Sequence, residues 1–160
     1  MQPTDAGDLH QIMSDAEVMA FWDISQVETP ELTIAILDGQ LAEMAAKKAF
    51  YWAMELRETG AFVGSCDLSE IDRRHKRAEV GFIIARAYWG DGYSQEAMSA
   101  VIDHAAQMLR LQRLTARTHL GNARSVRLLE RLGFTQEGLL RGYVDRDGER
   151  RDCLMFGLLL

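Results

Sequence analysis

Glu79-Val80-Gly81-Phe82-Ile83-Ile84-Ala85-Arg86-Ala87-Tyr88-Trp89-Gly90-Asp91-Gly92 reads as a buried strand that runs into a turn with two glycines, and Tyr93 onward continues at helical spacing. The first turn of a helix has backbone N–H groups without intrahelical acceptors and carries roughly half a positive charge. Gly90 and Gly92 lack a Cβ, so the chain can take positive φ there and an anion can approach the main chain. Asp91 stands between them, so the grip on a phosphate must come from amides and not from a charged side chain.

The segments after this turn alternate helix and strand. Ser94 to Leu109 carries Ala97, Met98, Val101, Ile102, Ala105 and Met108 at helical spacing, and Arg113 to Thr118 is a short strand. Asn122 can cap a helix bearing Val126, Leu128, Leu129 and Leu132 that stops at Gly133. A right-handed crossover then sets the strand at 78–85 parallel to the one at 113–118, with both carboxyl ends facing one crevice. Before the turn, Phe50 to Leu56, Ala61 to Leu68 and Ala78 to Ala85 form an antiparallel meander. Thr29-Pro30-Glu31 starts a helix to about Lys48 whose expected inner face is Leu32, Ile36, Leu41 and Met44, and two shorter helices precede it. Phe134 to Tyr143 and Cys153 to Leu159 are the last strands, joined through Asp145-Arg146-Asp147-Gly148.

The 160 residues suit a single domain over 1–160, long enough to bury roughly 70% of the extended chain's surface. Cys66 and Cys153 lie far apart in apolar runs and read as reduced core thiols, and no spacing of His, Cys or acids suggests a metal. A net charge of −6 argues against nucleic acid and suits a cationic partner. No apolar run approaches the roughly 20 residues of a membrane span and the N-terminus lacks a basic flank, so a cytoplasmic location is expected.

Three segments, Glu79 to Phe82, Tyr88 to Ala97, and Asn122-Ala123-Arg124-Ser125 to Leu132-Gly133-Phe134, together resemble the GNAT superfamily of acetyltransferases, and most closely its ribosomal-protein N-terminal acetyltransferase branch. The resemblance covers about residues 3 to 159. It implies an α/β (α+β) fold: a mixed, twisted sheet of about six to seven strands flanked by four principal helices, with acetyl-CoA as cofactor. It further implies that amides of Tyr88, Trp89, Gly90, Asp91, Gly92, Tyr93 and Ser94 hold the pyrophosphate. The strand edge at Ile83, Ile84 and Ala85 would pair with the pantetheine arm, and Asn122 would bind that arm near its thiol end. Arg124, Arg127 and Arg131 recur along the last helix; one of them, Arg127 foremost, is a candidate for the 3′-phosphate, and a solvated helix face is the plainer reading of the others.

The chain departs from the family pattern at three points. Ala87 stands where many members have Gln or Arg. Leu129 replaces the tyrosine that protonates the leaving thiolate, which makes Ser125, on the first turn of the same helix, the replacement acid. Relatives usually begin with a strand that has no counterpart before Gln2-Pro3-Thr4-Asp5, so either the start is misplaced or the sheet lacks its first strand; an exposed sheet edge is expected, which another chain could cover, in a monomer or a homodimer.

Only a neutral amine attacks a thioester, and an α-amine near ~8 surrenders its proton more readily than a lysine near ~10.4. Glu79 is the leading base, directly or through a water, with a structural pair to Arg77 or Arg86 as the plainer reading. His119 is a rival, while His10, His75 and His104 show no partner pattern. Phe21, Trp22 and Trp52 are candidates for an acceptor groove, and Tyr143 for a contact to an acceptor peptide. The expected activity is acetyl transfer to an amine, foremost a protein N-terminus. A small-molecule amine such as a polyamine, an aminoglycoside or an amino-acid derivative is the alternative, as is a non-catalytic CoA-binding module.

Overall fold

The computed structural model describes residues 1–160 as a six-stranded sheet in the order β1-β2-β3-β4-β6-β5. The strands are β1 (Phe50–Glu55), β2 (Phe62–Asp72), β3 (Arg77–Ile84), β4 (Arg113–His119), β5 (Thr135–Arg146) and β6 (Glu149–Leu159). Five helices accompany them: α1 (Ala6–Met13), the single turn α2 (Ala16–Met19), α3 (Pro30–Ala45), α4 (Tyr93–Gln107) and α5 (Ala123–Arg131). The mixed sheet and four principal helices agree with the expected fold. β1 lies at the edge; β2 is its one sheet partner, and the Met1 ammonium donates to the Tyr51 carbonyl at 3.1 Å.

The two faces of the sheet bury different sets of residues because side chains alternate along each strand. Cys66, Leu68, Val80, Leu114, Ala116 and Phe156 meet Met98, Val101 and Ala105 of α4 and Leu129 of α5 in the larger core. On the other face Ile83 joins Leu9, Ile12, Met13, Val18, Met19 and Leu37, which packs α1 to α3 against the sheet. Each buried Leu, Ile, Val, Met or Phe among these contributes about 1.5–3 kcal/mol by leaving water.

Sequence spacing misjudges the buried face of α3. Thr33 and Leu37 are the buried residues, whereas Leu32 is 54% exposed. The helix is apolar on several sides, and Thr33 can go inward because its hydroxyl meets Nδ1 of His10 at 2.9 Å. Both cysteines are free and buried, as expected. Burial pushes the Cys66 thiol up to about 12, which makes it a poor nucleophile at neutral pH.

The parallel pair that sets up the crevice is short. β3 and β4 are in register only at Arg77–Arg113, Ala78–Leu114 and Glu79–Thr115, after which they separate. β4 continues fully paired with β6, from Arg113–Leu159 to His119–Cys153.

Candidate functional site

The separation of β3 from β4 opens a cleft of about 1140 Å³. Its walls are the ends of the two strands, the turn before α4, the first turns of α5, and Phe21 to Asp23 from the segment between α2 and α3. At one end Gly90 and Gly92 adopt φ of +94° and +87°, a region that favours glycine, and Gly92 is the residue that precedes α4. The Gly92 carbonyl accepts from the Glu96 amide at 3.0 Å, which leaves the amides of Tyr93, Ser94 and Gln95 without helical acceptors.

The expected cofactor residues divide by geometry. Ile83, Ile84, Tyr88, Trp89, Gly90, Gly92, Ser94, Asn122, Ser125 and Arg127 line the cleft. Ala85, Asp91 and Tyr93 are not among its lining; the Tyr93 ring packs edge-on against Tyr88, with centroids 5.8 Å apart. The Ala85 amide donates to the Val63 carbonyl at 2.9 Å, so the main chain of Ala85, and by alternation that of Ile83, is turned toward β2. The backbone groups of β3 that face the gap are those of Val80, Phe82 and Ile84. The Ile84 carbonyl already accepts from the Trp89 indole at 3.1 Å, which fixes the turn to the strand end. Arg124 lies over the same indole, 4.1 Å from its centroid, so it braces the turn from α5.

At the thiol end of the expected arm, Asn122 caps α5. Its Oδ1 accepts from the Ser125 amide at 3.2 Å, which leaves its NH₂ free to donate into the cleft. Ser125 is half-buried on the first turn, and Leu129 is buried beneath it in the core.

The side of the cleft formed by β2, β3 and β4 is polar. Residues in register across adjacent strands share a face, so Tyr51, Asp67 and Gly81 form one row, and Ser69, Glu79 and Thr115 the next. Glu79 pairs with neither Arg77 nor Arg86: Arg77 meets Asp72 at 3.5 Å, and Arg86 meets Asp15 and Glu17. Its partner is Arg117 on β4, whose Nε donates to Glu79 Oε1 at 2.8 Å. Burial works against the Arg117 charge, but Glu79 and Asp23 outweigh it and hold the guanidinium protonated. Arg117 also lies 5.0 Å from the Tyr143 ring centroid, and Asp23 Oδ1 meets Nε2 of His119 at 2.9 Å. Glu79, Arg117, Asp23 and His119 are therefore one connected network.

Other sequence expectations separate clearly. Phe21 and Trp22 line the cleft, but Trp52 is on the opposite face, stacked on Phe50 and edge-on to His104. His10 and His75 have partners, in Thr33 and Asp72. Sequence reading missed Asp67, which lines the cleft from the middle of β2, and Arg146, which holds the segment between α2 and α3 by its carbonyls. Arg146 Nη1 donates to the carbonyls of Met19 and Ala20 at 2.7 and 2.9 Å, and its Nε donates to Ser25 Oγ at 3.2 Å. Asp67 had a legible signal in its strand alternation, whereas Arg146 sat in a turn tetrapeptide with no sign of a distant target.

A family model described as an acetyltransferase (GNAT) domain matches residues 1–135. The uncharacterized N-acetyltransferase p20 of Bacillus licheniformis is 33% identical, over 99% of this chain and 89% of that protein. Among solved structures, the spermidine N-acetyltransferase of Vibrio cholerae in complex with CoA and spermine superposes with a TM-score of 0.86 at 21% identity, covering 99% of this chain and 92% of that one. The ribosomal-protein-S5-alanine acetyltransferase of Vibrio fischeri gives 0.85 at 23% identity, covering 99% and 90%.

Proposed function

The chain belongs to the GNAT acetyltransferase family and is an acetyl-CoA-dependent N-acetyltransferase, and we propose that its acceptor is the α-amine of a protein N-terminus. The observation that carries this reading is the acceptor face itself: its candidate bases are the carboxylates Glu79 and Asp67, and a carboxylate is better matched to an α-amine near ~8 than to a side-chain amine near ~10.4. The one imidazole there, His119, is bonded to Asp23.

In this mechanism the amides at the start of α4 receive the pyrophosphate, and Arg124 and Arg127 offer charge to the nearby 3′-phosphate. The gap-facing groups of Val80, Phe82 and Ile84 pair with the pantetheine amides as a neighbouring strand would, and the Asn122 NH₂ meets the arm near the sulfur. Acetyl-CoA supplies the activated acetyl group. Glu79, steadied by Arg117, orients the incoming ammonium directly or through a water, and the Ser125 hydroxyl donates to the departing sulfur. Phe21 and Trp22 give the junction an apolar wall.

A polyamine acceptor is the second reading. It is favoured by the acidic neighbourhood of Tyr51, whose phenol is pushed above the usual range by burial, then by its hydrogen bond to Glu43, and further by the charges of Asp67, Glu43 and Glu70. The deciding experiment measures thiol release from acetyl-CoA with peptides bearing free N-termini, the same peptides blocked at the N-terminus, and spermidine. Turnover of free peptides alone supports the α-amine reading. Turnover of spermidine alone selects the second reading, and CoA binding without turnover of any amine leaves a binding module.

A further inference from the structure

We infer that Asp67 is a further catalytic residue, the carboxylate that takes the proton from the acceptor's ammonium. The inference rests on the acetyl-transfer reading above but not on which amine is used. Asp67 lies in register with Gly81 of β3, on the face of the sheet where the acceptor wall stands, and both residues line the cleft. Gly81 has the geometry of an accommodation. A Cβ built there would lie 2.5 Å from Asp67 Oδ1 and 3.4 Å from Oδ2, so the missing side chain is what lets the carboxylate lean across β3 toward the opening. This supplies a physical role for the glycine of the Glu79-Val80-Gly81-Phe82 motif.

Two carboxylates on one face with different partners are suited to different work. Glu79 is tied to Arg117, and a charge neutralised by a guanidinium is a weak acceptor of protons. Asp67 has no cationic partner. The groups that act on it are Glu79 on β3 and Glu43 on α3, both acidic, and the Ser69 hydroxyl on its own strand. Burial foremost, opposed by Ser69 and reinforced by Glu79 and Glu43, pushes the Asp67 carboxyl up to about 6. It is thus charged at neutral pH and still more basic than an ordinary carboxylate.

The step balances as follows. Asp67 removes one proton from the bound ammonium, and the freed lone pair forms the C–N bond at the thioester carbonyl carbon. The C–S bond then breaks with its electron pair on sulfur, and a second proton from nitrogen reaches that sulfur by way of the Ser125 hydroxyl. The products are the amide, CoA thiol and a protonated Asp67 that returns its proton to water.

The test is a pH profile of kcat/KM from 5 to 10 for Asp67→Asn, Glu79→Gln and Gly81→Ala, with an alanine-initiated pentapeptide and spermidine as parallel probes and calorimetry of CoA binding on each variant. The wild type should lose activity below about 6 and hold a plateau above it. Asp67→Asn should fall about tenfold at pH 7 on the peptide and regain the loss as the pH passes ~8, where the α-amine is neutral without help. Its CoA affinity should stay within twofold. Gly81→Ala should shift the acid limb by displacing the carboxylate. An unchanged profile in Asp67→Asn, or transfer of the limb to Glu79→Gln alone, overturns the inference. Turnover of spermidine without peptide overturns the α-amine reading and leaves Asp67 to be judged on the spermidine profile. If wild type turns over neither probe, both fall.

Discussion

A valine at position 92 would have to hold a φ of +87°, where an L side chain costs about 1–2 kcal/mol per residue. Nothing lies within 4 Å of a Cβ built at Gly90 or Gly92, so the glycines answer to backbone conformation and to a ligand's approach, not to protein packing. Gly92→Val is therefore expected to weaken CoA binding about tenfold or more and to lower the melting temperature by only about 2–8 °C, as calorimetry and thermal unfolding would show. Ser125 makes the complementary case. It stands on the helix turn that Asn122 caps, and its hydroxyl is not part of that cap. Ser125→Ala should lower kcat on the order of tenfold or more while the KM for acetyl-CoA stays near its original value. Unchanged turnover would remove the proposed proton donor.

At the scale of elements, the acceptor wall is held from a distance. The segment from α2 to α3 has one turn of helix followed by irregular chain, and its carbonyls at Met19, Ala20 and Trp22 all accept from Arg146 at the end of β5. Arg151 on β6 adds a bond to the Ala20 carbonyl at 3.3 Å. Arg146→Ala should cost about 1.5–3 kcal/mol in urea unfolding and raise the acceptor KM, while CoA affinity is kept because the glycine turn is untouched. Much of this architecture is legible in the chain itself. The turn at Gly90 to Gly92, the parallel pairing of β3 with β4 and the Asn122 cap are local or follow from chirality. The Arg146 clamp and the Glu79–Arg117 pair join residues more than 35 positions apart, and no spacing rule encodes such meetings. The inward face of α3 was misread for a related reason: a helix apolar on several sides lets tertiary packing choose, and it chose Thr33 and Leu37.

For the whole molecule, the role proposed for Asp67 has a counterpart in stability. Its carboxyl rises from 3.8 in the reference state to about 6 in the folded chain, chiefly through burial. A raised acid favours the folded state below pH 3.8, and that advantage disappears as pH climbs through 6, so at pH 7.5 ionised Asp67 burdens folding on the order of 2–3 kcal/mol. Asp67→Asn should consequently unfold at a higher temperature than wild type at pH 7.5, with the two converging near pH 4, even as its activity falls. Equal melting temperatures at both pH values would contradict the burial. The short pairing of β3 with β4 has a mechanical consequence as well. Three rungs join β1-β2-β3 to β4-β6-β5, so the sheet is a pair of leaves on a narrow spine. On the proposed placement of the cofactor, a pantetheine arm lying between them would supply the rungs that the chain omits. The two leaves should then be stiffer with the thioester bound than without it.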